Sequence, residues 1–297
     1  MKKIFGIIVL ALAFGLANTL KAQDLYVGND GNDTIGKYGL DGSTVNASLI
    51  TGLGGPIGMA ISGNDLFVAN WRNDTIGEYT TSGTTISTSL ISGLSNPRGI
   101  AIVGNDLFVA NGDADTIGEY TTAGATVDAS LISSGLAYPD GITISGNDLF
   151  AANQLNRTIS EYTTSGATVN SWALSNLGIP YCIAISGNDL FVANDADGTT
   201  TGVISEYTTS GAMINASLIS GLAYPFGIAI SGTNLFVANG NTGTIGKYTT
   251  SGVTVNASLL TRLNSPGGLI IGPAPEPSAI ALAGLGAAIL CARRRRK

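Results

Sequence analysis

The 297-residue chain has no histidine, a formal charge of −6 and a pI near 4.5, and only 11% of its residues are charged against 44% hydrophobic. Without imidazole, Ser-His-Asp catalysis, Cys-His catalysis and His-based metal sites are excluded; the acidic balance argues against nucleic acid, whose phosphates demand a Lys/Arg surface. The polar load falls on Ser, Thr, Asn and 41 glycines, which suits a turn-rich, all-β extracellular protein.

Residues 1–22 read as a secretory signal. Lys2 and Lys3 form a positive n-region, residues 4–16 an apolar stretch, and Leu20-Lys21-Ala22 a small-residue cleavage site after Ala22. An uncleaved anchor is the alternative, but a span needs about 20 apolar residues, more than this segment offers.

From residue 24 a hexapeptide recurs: Asp24-Leu-Tyr-Val-Gly-Asn29, then 65–70, 106–111, 148–153, 189–194 and 234–239, at offsets of 41, 41, 42, 41 and 45 residues. In the unit that begins at Pro97, four strands are expected. They are Pro97-Arg98-Gly99-Ile100-Ala101-Ile102; residues 107–110 after a tight turn at Gly104-Asn105; residues 116–120; and residues 126–131 after a turn at Thr122-Ala123-Gly124. A period near 41 with four strands per unit predicts a β-propeller. First and second strands each occur six times, and the mature chain opens on a second strand and closes on a first. The expected fold is therefore all-β: a six-bladed β-propeller of four-stranded blades, closed by the C-terminal strand 266–271 completing the first blade. The repeat Pro-x-Gly-Ile-Ala-Ile-x-Gly-Asn-Asp-Leu-Phe-Val-Ala-Asn, ending in Thr-Ile-Gly-Glu-Tyr, resembles the NHL repeat over residues 24–272, and more loosely gluconolactonase-like and TolB-like six-bladed propellers. One departure is Asn where NHL units commonly end the second strand with Asp, which lowers rim charge and keeps a turn-forming side chain.

In such a ring the loops that enter first strands and those that join second to third strands share the face around the central channel. The residues after each entry proline are Ile57, Arg98, Asp140, Tyr181, Phe226 and Gly267. They vary while their neighbours repeat, which makes Arg98, Asp140, Tyr181 and Phe226 binding candidates; unconstrained loop tips are the alternative. The gluconolactonase-like resemblance implies a divalent metal held at this mouth by carboxylates and amides. With Asp140 the only acid among the six positions, that set does not carry over, and no catalytic residue is assigned. The loops after second strands are acidic, so Asp113, Asp115, Asp195 and Asp197 are weak Ca2+ candidates; no cofactor is required. Cys182 reads as a small residue at a repeat position, with no disulfide expected. Asn46-Ala-Ser48 and Asn256-Ala-Ser258 are expected in turns, and Trp71 and Trp172 as either sugar-stacking or blade-packing aromatics.

Residues 273–297 are a second address. Pro275-Glu276-Pro277 precedes an apolar stretch, 279–292, and a terminal Arg293-Arg294-Arg295-Arg296-Lys297. This order closely resembles the PEP-CTERM sorting signal of Gram-negative bacteria that make extracellular polysaccharide. The resemblance implies processing by an exosortase-type membrane protease and transient membrane association through the apolar segment; an ordinary C-terminal anchor is the alternative. With both ends set aside, residues 23–272 hold six basic and 19 acidic side chains, a charge of −13. The expected domains are thus a signal peptide at 1–22, the propeller at 23–272 and the sorting signal at 273–297. The expected role is a surface module that binds exopolysaccharide or another surface protein at the outer envelope. A metal-dependent lactonase-like hydrolase and a purely structural envelope protein are the alternatives.

Overall fold

The computed structural model describes residues 23–173, 178–195 and 201–273. Ala22, Asp197 and the motif Pro275, Glu276 and Pro277 lie outside the described residues. Within them, one 3-10 turn at Asp30–Asn32 accompanies 24 strands, arranged as six four-stranded antiparallel sheets. Each sheet is one blade, and the first strands of successive blades stand side by side around a central channel.

The third blade, formed by Pro97–Val103, Asp106–Asn111, Thr116–Thr121 and Thr126–Ile132, shows how the repeat folds. Gly104 takes φ +61°, which lets a two-residue turn match the twist of the flanking strands. At the next turn the Thr121 and Ala125 backbones bond at 2.8 Å, and Ala125 N–H donates to Thr121 Oγ1 at 3.1 Å. The ring closes as the repeat count requires: Pro266–Pro273 pairs with Gln23–Asn29, Leu25 opposite Ile271 and Val27 opposite Leu269.

The second strand of each blade is buried on both faces, and this explains its unbroken apolar run. In blade 2, Leu66 and Val68 pack toward blade 1 beside Tyr26 and Ile35. Phe67 and Ala69 pack toward blade 3 against Leu107 and Val109. The core is therefore six interfaces between blades, and burial of each such Leu, Val or Phe contributes roughly 1.5–3 kcal/mol.

Two local readings are corrected. The second-strand asparagines are not rim residues: Asn70 is 2% exposed and Asn153 is fully buried. Asn153 Oδ1 accepts the Ala137 N–H at 3.2 Å while its Nδ2 donates to Thr158 Oγ1 at 3.1 Å, so the entry loop is tied to the third strand. An aspartate lacks the second, donating half of that bridge. The Asn-x-Ser triplets are not turns either. Asn46 and Asn256 lie in the outermost strands Thr44–Thr51 and Thr254–Leu260, at register shifts. Their side-chain oxygens accept the N–H of Ser48 and Ser258 at 3.1 and 3.0 Å. Asp128 treats Ser130 the same way at 2.9 Å. These bulges satisfy donors on an open sheet edge that would otherwise template pairing with another chain.

Candidate functional site at the channel mouth

The six first strands enclose a channel of about 310 Å3. Glycine follows the entry residue because adjacent blades touch there: a Cβ at Gly58 would stand 1.9 Å from the Arg98 carbonyl oxygen, and one at Gly99 2.4 Å from that of Asp140. Blade 5 carries Cys182 at this position, lining the channel, and burial pushes its thiol up to about 11. Ile57, Arg98, Asp140, Tyr181, Phe226 and Gly267 all border the channel. At the mouth a second hollow of about 280 Å3 is bounded by Trp71, Arg98, Tyr224 and Phe226 among others.

The rim from blade 2 to blade 6 is aromatic. Tyr181 lies 4.9 Å from Tyr224 and 5.1 Å from Phe226, ring centre to ring centre, and Tyr224 stacks on Phe226 at 5.7 Å. Beside this trio, the Arg98 guanidinium lies over two rings, 5.5 Å from that of Trp71 and 5.1 Å from that of Tyr138. Arg98 Nη2 donates to the Tyr138 hydroxyl at 2.5 Å, and Trp71 Nε1 donates to Asp30 at 2.9 Å. Arg98 Nε is buried and has no hydrogen-bond acceptor among the described residues.

Tyr138 and Tyr224 were not legible as site residues. Each precedes an entry proline, with φ +51° and +59°, where other blades place Gly55, Asn96 or Ser265 at +69°, +55° and +51°. Gly and Asn adopt this left-handed conformation at little cost, whereas a bulky aromatic there is strained by roughly 1–3 kcal/mol. The signal in the sequence was the repeated Ala-Tyr-Pro at 137–139 and 223–225.

Asp140 lies beneath this rim, 2% exposed, and accepts a hydrogen bond from Gln154 Nε2. Burial raises its carboxyl to about 6, against the lowering influence of Arg98 and of the Gln154 hydrogen bond. A carboxylate this enclosed is poorly presented to a substrate in the channel.

The acidic loops serve mainly as clasps between blades. The carboxylates of Asp33, Asp74 and Asp115 accept the backbone N–H of Gly55, Asn96 and Tyr138, each in the next blade, at 2.8, 2.8 and 2.6 Å. Asp113 accepts Asn96 Nδ2 at 3.2 Å. Asp195 ends the second strand of blade 5 and is 7% exposed. Among the described residues no three acidic or cysteine side chains converge as a metal site would require. Any cation at Asp113 or Asp115 would compete with these backbone and amide donors.

Residues 273–296 match the PEP-CTERM protein-sorting motif. No curated protein matches the chain. Among solved structures, the chain is similar to one from a nidogen/laminin complex, with a TM-score of 0.72, 20% identity, and 84% of this chain and 98% of that one covered. It is also similar to a streptogramin B lyase, with a TM-score of 0.60, 20% identity, and 83% and 91% coverage. A catalytically inactive virginiamycin B lyase from Staphylococcus aureus with quinupristin gives 0.61, 20%, 84% and 89%. Likeness at this identity shows the six-bladed fold and carries no activity with it. The tail motif implies export, sorting to the bacterial surface and processing by an exosortase. Among the described residues no helix is long and apolar enough to cross a membrane.

Proposed function

We propose that the propeller is a binding module of the bacterial surface, and that it holds exopolysaccharide of the extracellular matrix at the mouth of its channel. The observation that supports this reading is the aromatic rim, above all Tyr224, which is kept at φ +59° where glycine would be relaxed. Backbone strain retained at a loop tip is a mark of selection for the side chain itself. Flat, partly exposed rings around a hollow of about 280 Å3 suit the apolar faces of sugar rings. Binding rather than catalysis is favoured because the carboxylates near the mouth are already engaged: Asp140 is enclosed and bound to Gln154, and Asp30 accepts from Trp71 and pairs with Arg72.

The test is binding of the purified protein to extracellular polysaccharide, with Tyr224→Gly as the variant. Glycine relieves the backbone and removes the ring, so the expected result is an unchanged or raised Tm with affinity lower by roughly 5-fold or more. Equal affinity in the two proteins would move the ligand away from the mouth, and no binding by either would leave a structural envelope role. Ca2+ at the acidic loops is a separate proposal, and an unchanged melt in millimolar Ca2+ discards it.

A further inference from the structure

The donors of Arg98 are the feature of the mouth that the rim aromatics do not explain. Of the five N–H groups of a guanidinium, the described residues engage one, through Nη2 to the Tyr138 hydroxyl. Nε is buried and has no acceptor among them. A buried donor left unmade costs about 1–3 kcal/mol; Nε is closed off from solvent, so the unengaged Nη hydrogens are the donors left to a ligand. The group is also held still. Trp71 and Tyr138 flank its planar face, and Trp71 is itself fixed by its bond to Asp30. Beside it, in the same hollow, stand the stacked rings of Tyr224 and Phe226.

We infer that the mouth selects a carboxylate attached to a six-membered ring, the carboxylate forked by Arg98 and the ring laid on Tyr224 and Phe226. This rests on the reading of the mouth as a ligand site and names the chemistry of its ligand. A fork of parallel N–H donors matches the two oxygens of a carboxylate, a fit that a neutral sugar hydroxyl does not provide. A uronic acid unit of a polysaccharide and an aromatic carboxylic acid share this chemistry. The net charge opposes anions in general, residues 23–272 carrying −13, and the neighbouring Arg72 is bound by Asp30 and Asp33 at 3.0 and 2.7 Å. An acidic ligand would therefore have to be held by the local donors of Arg98 against the domain's net charge.

The experiment is calorimetric titration of the full protein with three probes: a galacturonate oligomer, the same oligomer with its carboxylates reduced to alcohols, and benzoate. The expected result is that the acidic oligomer binds at least ~10-fold tighter than the reduced one, the difference a charge-assisted fork supplies. Arg98→Lys should shrink that difference severalfold while leaving the melt near that of the parent, because lysine keeps the charge and loses the fork. Benzoate binding more tightly than the acidic oligomer assigns the aromatic source, and the reverse assigns the saccharide. If acidic and reduced oligomers bind equally and Tyr224→Gly weakens both, the carboxylate inference falls while the mouth remains a ligand site. If none of the three binds, both readings fall.

Discussion

Lys37 places its ammonium 2.9 Å from the Asp24 carboxylate, and the two side chains are only 4% and 10% exposed. The same ammonium reaches the Thr81 carbonyl of blade 2 at 3.4 Å, which also accepts the Tyr26 hydroxyl at 3.0 Å. A charged pair thus joins the ring's closing blade to its neighbour. Lys37→Met would leave Asp24 buried without its cation, and such breakage costs about 3–5 kcal/mol. The expected fall in Tm is on the order of 10 °C, most of it recovered in the double variant Lys37→Met with Asp24→Leu. The Lys37 pKa lies above its ordinary value: burial opposes the charge, but hydrogen bonds with Asp24 and Tyr26 outweigh it. Its contribution is complete below the ordinary lysine pKa and is lost as pH rises through the folded value. Thermal melts near neutral and strongly alkaline pH check both statements.

Blades 2 to 5 carry glutamate where blade 1 has Lys37: Glu78, Glu119, Glu161 and Glu206. Each has its pKa raised, first by burial and then by a nearby aspartate, for Glu119 both Asp106 and Asp128. A raised carboxyl favours folding below its ordinary pKa and loses that contribution as pH rises through the folded value. Glu119→Lys should therefore stabilise near neutral pH by opposing Asp106 as Lys37 opposes Asp24. The site is largely solvated, so the expected gain is small, roughly 2 °C in Tm. The gain should shrink at pH 4, and a variant that melts below the parent at pH 7 would contradict the argument.

Gly268 and Gly267 are adjacent in the strand that closes the ring and should answer differently to alanine. A Cβ on Gly268 would lie 1.8 Å from the Ile57 carbonyl oxygen, in the backbone of blade 2. On Gly267 the nearest atom is a ring carbon of Phe226 at 3.5 Å. Gly268→Ala is expected to destabilise by about 1–3 kcal/mol or more, since a strand must shift. Gly267→Ala should remain within about 0.5 kcal/mol of the parent. Denaturant melts of the two variants compare them directly.

The blade count, the strand positions and the closure by the last strand were legible because a repeat states each unit several times, and short apolar runs bounded by turn residues mark the inner strands. What was not legible depends on partners outside each residue's own strand or loop. Asn153 looks like a turn residue until Ala137 and Thr158 are seen on either side of it. Asp115 looks like a free rim carboxylate until the Tyr138 N–H is found 2.6 Å away. At the mouth, the varying positions Arg98, Tyr181 and Phe226 were visible as exceptions to the repeat. Tyr138 and Tyr224 stood only as a repeated Ala-Tyr-Pro, whose meaning lies in a left-handed φ that the pattern alone does not report.

Asp140 offers a pH-dependent test of the mouth. Its neighbours are Arg98 on the rim, Gln154 in the loop after the second strand, and Tyr181, Cys182 and Tyr224 from the next two blades. Burial raises its carboxyl from 3.8 to about 6, although Arg98 and Gln154 pull it down. Because the folded form binds the proton more tightly, this residue favours folding fully below pH ~4. That contribution is lost as pH rises through about 6. At about 1.4 kcal/mol per pKa unit, the change across that window is on the order of 3 kcal/mol. In Asp140→Asn this slope should disappear while the smaller slope from the four strand-three glutamates persists. Stability measured by denaturant at several pH values between 4 and 7 reads the difference. If the variant and the parent lose stability in parallel over that range, Asp140 is ionised throughout and its enclosure beneath Arg98 does not govern its proton.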